Sequence, residues 1–290
     1  MGKRNGKDLK KERSSIDNHP KMVYNTYGHL RGSPWREVAG CPYFSRKDTQ
    51  SMLKAVLFDL DGTLLPMDQA TFMKDYFGRL MRRLAPLGYT PEVFLAAMKA
   101  GITAMTVNDG SRTNEEAYWE AYSASSGRAL NEELPVLDIF YNVEFDEVAA
   151  VCGRNPKAAE LVHSLKQRGI RVILATNPLF PRVATRKRIR WAGLEPEDFE
   201  FYTTFEDIGC CKPNPDYYRE VLRRGGLDAA DCLMVGNDVA EDMMAGAKVG
   251  LRGFLLTDCL INTPNADIEQ YPHGSFDELD AYIETLLNEA

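Results

Sequence analysis

The chain has 290 residues, 44% of them apolar and 27% charged, with 22 Gly and 15 Pro, a composition that excludes collagen-like, low-complexity and wholly disordered architectures. No apolar run approaches the roughly 20 residues that a spanning helix needs, so no membrane protein is expected. The net charge of −7 is uneven, since residues 1–50 hold 11 Lys and Arg against 5 Asp and Glu while the rest hold 24 against 37. That acidic body argues against nucleic acid as a main partner, because neutralising phosphate needs a basic surface.

Six cysteines stand at 41, 152, 210, 211, 232 and 259 with no Cys-x-x-Cys pair, and the four His are scattered. Neither a structural zinc site nor a disulfide scaffold follows from that spacing. The basic N-terminus lacks the apolar stretch of a secretory signal, and the expected compartment is cytoplasmic.

Residues 1–51 show no sustained period and are broken by Pro20, Pro34 and Pro42, so they read as a basic, flexible extension. Met52-Leu53-Lys54 then leads into Ala55-Val56-Leu57-Phe58, a buried-strand pattern. Met52 is thus a candidate natural start, which mass spectrometry of the native N-terminus tests. Residues 67–151 carry helical periodicity through Phe72, Tyr76, Phe77, Leu80 and Leu84, and no short apolar strand.

From residue 153 onward strands and helices alternate. Asn155-Pro156 opens a helix with Ala158, Leu161, Val162 and Leu165 inward, and Gly169 stops it. Val172 to Ala175 reads as a strand, Pro181 to Trp191 as a helix and Phe199 to Thr203 as a short strand. Asn214-Pro215 caps a helix with Tyr218, Val221 and Leu222 inward, ended by Gly225-Gly226. Leu233-Met234-Val235 is a strand, Val239 to Lys248 a helix, Phe254-Leu255-Leu256 a strand, and 276–288 a closing helix. The alternation predicts an α/β fold, a doubly wound parallel sheet covered on both faces. Residues 52–66 and 152–290 form its core. The inserted all-helical segment, 67–151, would stand over the carboxyl edge, where such sheets bind ligands.

The residues at the predicted strand ends carry chemistry. Asp59-Leu60-Asp61-Gly62-Thr63 follows the first strand, Thr176-Asn177 the second, and Gly236-Asn237-Asp238-Val239-Ala240-Glu241-Asp242 a later one, with Lys212-Pro213 in the loop before the third helix. Carboxylates, a hydroxyl and a lysine thus converge on one edge. Such carboxylates repel one another unless a cation and the lysine compensate. Oxygen donors alone suit Mg2+ over Zn2+ or copper.

This constellation resembles the haloacid dehalogenase-like hydrolase superfamily across residues 55–258. Asp59 to Thr63 matches its Asp-x-Asp-x-Thr motif, Thr176 its strand-end hydroxyl, Lys212 its lysine, and Asp238 and Asp242 its paired acids. The segment 67–151 is similar to that family's helical cap. The resemblance implies a Rossmann-like core, a mobile cap and a Mg2+-dependent phosphatase acting on small phosphorylated substrates. It implies Asp59 as the nucleophile that forms an aspartyl-phosphate, and Asp61 as general acid and then general base. Thr176 and the Asn177 amide would hold the phosphoryl oxygens, and Lys212 would neutralise the transferring group. Asp59, the Asp61 carbonyl and Asp238 would bind Mg2+, with Asp242 steadying the metal shell or the lysine. An acid at position 61 favours phosphoester chemistry, because dehalogenases and carbon–phosphorus-cleaving relatives lack it. A phosphomutase uses the same acid pair and is the alternative within enzymes. A non-catalytic binding protein retaining the fold is the rival outside them.

Weaker signals remain. Arg112, in the polar stretch Asn108 to Asn114, is the insertion's candidate for meeting a second anionic group of the substrate, in what otherwise reads as a solvated loop. Tyr118, Trp119 and Tyr122 read as core of the insertion. Arg182, Arg186, Lys187, Arg188 and Arg190 read as an exposed basic helix face. Cys210-Cys211 precede Lys212, whose ammonium can lower a neighbouring thiol pKa, although they read first as two small loop residues without a role.

Overall fold

The computed structural model describes residues 52–288, so the expectations placed on the basic extension at 1–51 lie outside the described residues. Five strands form one sheet: β1 (Ala55–Phe58), β2 (Arg171–Leu174), β3 (Cys232–Gly236), β4 (Arg252–Leu256) and β5 (His273–Gly274). Their order is β2-β1-β3-β4-β5 and every pairing is parallel. The period of two divides the strand side chains between two buried faces. Val56, Phe58, Val172, Leu174, Leu233, Val235, Phe254 and Leu256 face one core. Ala55, Leu57, Ile173, Cys232, Met234 and Leu255 face the other.

Helices α5 (Pro156–Gln167), α6 (Arg182–Trp191) and α9 (Phe276–Asn288) cover the first face through Leu161, Leu165, Ile189, Leu279 and Ile283. Helix α7 (Pro215–Gly225) covers the second with Tyr217, Tyr218, Val221 and Leu222. Helix α5 starts where Asn155 Oδ1 accepts from the Lys157 N–H at 3.1 Å, with Pro156 in its first turn.

Between β1 and β2 the described chain is helical: α1 (Gln69–Leu84), α2 (Pro91–Thr106), α3 (Asn114–Ser126) and α4 (Glu133–Ile139), then short wide and tight helical turns to Val151. Phe72, Tyr76, Leu80 and Leu84 form the buried face of α1, and Tyr118 and Tyr122 are buried in α3. The insertion begins and ends at one point, where Met67 pairs with Cys152 and the Gly153 N–H donates to the Pro66 carbonyl at 2.7 Å.

Three elements differ from the sequence expectation. Residues 199–203 do not form a strand; they run beside β2 with a single bridge from Leu174 to Tyr202. The helix expected over 239–248 begins as a wide turn, Val239–Met244, before α8 (Ala245–Ala247). Asp238 caps it, its Oδ1 taking the Ala240 and Glu241 N–H groups, and the turn is wide because the Asp238 carbonyl accepts from Met243 at 3.4 Å as well as from Asp242 at 2.9 Å. Strand β5 has two residues, too few for a periodic signal.

Candidate active site

Register places Phe58, Leu174 and Val235 side by side. Asp59, Thr176 and Asp238 therefore leave the sheet at the same edge, and the loop before α7 brings Lys212 beneath them. Lys212 is 1% exposed, and its Nζ donates to Asp59 Oδ1 at 2.9 Å and to Asp242 Oδ1 at 2.7 Å. Asp242 Oδ2 accepts from the Asp238 N–H at 3.0 Å, so one carboxylate holds both the lysine and the turn that carries Asp238. The Tyr218 hydroxyl donates to the Glu241 carbonyl at 2.9 Å and braces that turn from α7.

The approach is close enough to require glycine at two positions. A Cβ at Gly236 would lie 2.1 Å from Asp242 Oδ2. Gly62 has φ +85°, and a Cβ there would lie 2.3 Å from Asn237 Nδ2. Asn237 ties the first loop to its neighbours, since its Oδ1 accepts from the Thr63 hydroxyl at 3.0 Å and its Nδ2 donates to the Cys259 carbonyl at 2.7 Å. The Thr176 carbonyl accepts from the Thr203 hydroxyl at 2.6 Å and the Tyr217 hydroxyl at 2.8 Å, which fixes the second loop. Asn177 Nδ2 donates to Glu241 Oε2 at 3.0 Å.

Burial raises the Asp59 carboxyl to about 7, with Lys212 pulling against it and Asp242 and Asp61 adding to the rise. Burial and Asp242 likewise push Asp238 up to about 6 against its two backbone N–H bonds. Burial opposes the Lys212 charge, but Asp242 and Asp59 hold it well above the ordinary lysine value. One ammonium is thus set against Asp59, Asp238 and Asp242, an edge with surplus negative potential and room for a cation's charge.

The donors fit a hard cation. No cluster of three or more His, Cys, Asp or Glu among the described residues is arranged to hold a metal. Two carboxylates, Asp59 and Asp238, with the Asp61 carbonyl remain, and Mg2+ is commonly held by one or two carboxylates with its other positions left to water and phosphate.

One expectation is corrected, and two other predicted features gain a structural setting. Arg188 is not on an exposed face: it is fully buried, its Nη1 bonds Asp61 Oδ2, and its guanidinium lies 4.1 Å from the Phe180 ring centre. The stripe Ala184, Thr185, Arg188 and Ile189 is the inward face of α6, so helical spacing carries a signal that the run of charges masks. Arg112 is ion-paired to Glu120 of the insertion, and no hydrogen bond links its side chain to the carboxylate cluster. Its loop instead anchors the insertion on the core. The Asn114 and Glu115 N–H groups donate to the Ile208 and Phe205 carbonyls at 2.8 and 2.9 Å, and buried Asn114 Nδ2 reaches the Pro178 carbonyl at 3.2 Å. Finally, Cys210 and Cys211 are buried and burial raises both thiols, so Lys212 does not create a reactive thiolate.

Sequence reasoning assigns no site role to Arg188, Asn237, Glu241 or Asn114. The last three are polar residues in loops or turns, and only the folded contacts distinguish them from solvated ones.

A family model, haloacid dehalogenase-like hydrolase, matches residues 53–250. Glyceraldehyde 3-phosphate phosphatase of Methanothermobacter thermautotrophicus is 25% identical over 238 residues, covering 76% of this chain and 92% of that protein. Phosphonoacetaldehyde hydrolase of Bordetella pertussis is 25% identical over 226 residues, covering 76% and 77%. Among solved structures, a HAD phosphatase from Thermococcus onnurineus superposes with TM-score 0.52 at 18% identity, covering 79% of this chain and 97% of that one, a likeness of fold.

Proposed function

Given that the chain belongs to the haloacid dehalogenase-like hydrolases, we propose that it is a Mg2+-dependent phosphatase of small phosphate monoesters working through an aspartyl-phosphate on Asp59. The observation that carries this reading is the buried triad in which Lys212 bridges Asp59 and Asp242, with Asp61 two residues from the nucleophile. Likeness to a glyceraldehyde 3-phosphate phosphatase supports the substrate class. Asp61 favours phosphoester over carbon–phosphorus cleavage, because an acid there serves an oxygen leaving group that needs a proton.

Asp59 attacks phosphorus through its carboxylate, with Lys212 fixing the carboxylate's orientation and balancing charge on the transferring group. The P–O bond to the alcohol breaks as the Asp59 O–P bond forms, and Asp61 gives its proton to the departing oxygen. Asp61, now a carboxylate, takes a proton from water, which attacks phosphorus and returns Asp59 with inorganic phosphate. Thr176 and the Asn177 amide would hold the phosphoryl oxygens. Bound between Asp59, Asp238 and the Asp61 carbonyl, Mg2+ would supply charge stabilisation for the phosphoryl group.

The test is phosphate release from an aryl phosphate with and without Mg2+, comparing wild type with Asp59→Asn. Metal-dependent release abolished by the substitution, together with a fluoroberyllate adduct in the wild type alone, is the expected result. Turnover that survives Asp59→Asn would refute the nucleophile. Return of the phosphoryl group to the product instead of release would make the protein a mutase.

A further inference from the structure

Helix α6 carries five basic residues, and Arg188 is the one turned inward, with none of its surface exposed. Burying a guanidinium costs several kcal/mol, and a buried ion pair seldom does more for stability than apolar packing of the same volume. A helix that needed only a core residue here would use leucine or methionine. The surroundings give the arginine a narrower task.

The Phe180 ring covers one face of the guanidinium at 4.1 Å. The Thr185 hydroxyl, one turn back on α6, accepts from Nη2 at 3.3 Å. Nη1 alone is directed at a carboxylate, Asp61 Oδ2. Asp61 is 20% exposed by side chain against 0% for Arg188, so the arginine stands behind the carboxylate, on the side away from solvent. The other oxygen, Asp61 Oδ1, is buried and takes no hydrogen bond among the described residues. One oxygen of the acid is clamped, and the other is shielded from solvent with no hydrogen bond among the described residues.

We propose that Arg188 is a positioning residue for Asp61: it clamps Oδ2 so that Oδ1 is presented to the leaving-group oxygen, and it receives the carboxylate formed once the proton has gone. The inference rests on the phosphatase reading and extends it to a residue outside the four motifs. Arg188 touches neither phosphorus nor the leaving group, so its whole effect passes through Asp61. General acid catalysis matters in proportion to how badly the leaving group needs a proton. Losing the clamp therefore penalises esters of alkyl alcohols far more than esters of acidic phenols.

The experiment measures kcat/KM, which reports formation of the phosphoenzyme, for an alkyl phosphate and a dinitrophenyl phosphate. The enzymes are wild type, Arg188→Met, Arg188→Lys, Asp61→Asn and the Arg188→Met/Asp61→Asn double variant. Displacing a catalytic group by about an ångström can cost about 10²-fold, so Arg188→Met is expected to lower the alkyl-to-aryl ratio by about that factor. Arg188→Lys, which keeps charge but not the fork, recovers part of the ratio. The double variant matches Asp61→Asn, because a residue acting through Asp61 adds nothing once the acid is gone. Fluoroberyllate adduct formation on Asp59, followed by 19F NMR, and thermal unfolding report whether each variant keeps the fold and phosphoryl site.

Equal losses on both esters in Arg188→Met or Arg188→Lys, or an additive double variant, would overturn the positioning role and leave the phosphatase reading intact. A wild type that turns over neither ester would overturn both.

Discussion

Replacing Lys212 with methionine isolates its charge, because methionine keeps most of the stem's volume against Tyr217 and Tyr218, whose ring centres lie 5.8 and 5.9 Å from Nζ. The side chains left behind are deeply buried: Asp59 is 10% and Asp242 1% exposed. Breaking a buried ion pair by removing one partner costs about 3–5 kcal/mol. Here one cation serves two carboxylates, which puts the substitution toward the upper end. At roughly 2–4 °C per kcal/mol for a fold of this size, the metal-free midpoint should fall by on the order of 10–15 °C. The assay is thermal unfolding in chelator at about pH 5 and about pH 8, since buried carboxylates escape their mutual repulsion by taking up protons. Lys212 is the main group pulling Asp59 down, so without it the acid binds its proton more tightly and the loss should be smaller at the lower pH. Adding Mg2+ at the higher pH should recover part of the stability. A loss within about 1 kcal/mol, the value of an ordinary exposed pair, or a loss equal at both pH values, would refute the reading of Lys212 as the site's internal counter-ion.

Two further outcomes are expected. The folded-state pKa of Asp238, about 6, lies above its ordinary value of 3.8, so between the two the folded chain binds more protons than the unfolded one. Its contribution is therefore fully present below 3.8 and is lost as pH rises through about 6, by on the order of 2–3 kcal/mol. The gap in melting midpoint between Mg2+-loaded and metal-free protein should widen over that interval, and a constant gap would remove Asp238 from the cation's shell. Asn114→Leu should destabilise by about 1–3 kcal/mol, because it strands the Pro178 carbonyl and removes one of the two acceptors of the Asn108 amide, leaving only the Arg112 carbonyl. It should also speed tryptic cleavage after Arg112, and an unchanged rate would show that the Asn108 to Asn114 loop is held by its backbone bonds alone.

The core is legible because its strands are short apolar runs bounded by caps and glycines, and a parallel sheet buried on both faces produces that pattern. The reactive edge is legible for a related reason: a polar residue directly after such a run can only stand at the strand's end, which puts Asp59, Thr176 and Asp238 together. The features hidden from the sequence depend on contacts across the chain. Residues 199–203 have strand composition and make three backbone hydrogen bonds to β2, yet only Tyr202 forms a bridge. The turn after Asp238 is capped like an ordinary helix, and its width shows only in the Met243 N–H reaching back to the Asp238 carbonyl. Arg188 escapes a reading that weighs charge density above helical spacing, although its i−4 and i+1 neighbours, Ala184 and Ile189, are both core residues. The pairing of Arg112 with Glu120 on the same insertion is likewise a folded contact that a polar loop sequence does not foretell.

The junction where Met67 meets Cys152 and Pro66 meets Gly153 also bears on how the chain folds. Strands β1 and β2 are neighbours in the sheet yet stand on opposite sides of the insertion, so aligning them from the unfolded chain means closing a loop that contains it. Closing about 85 flexible residues costs roughly 4 kcal/mol of chain entropy on the logarithmic scale. An insertion that folds first with its ends pinned together removes that term, and β1 is then joined to α5 and β2 as though the intervening helices were a short turn. If the insertion closes first, damage confined to the interior of the helical segment should therefore delay the pairing of β1 with β2.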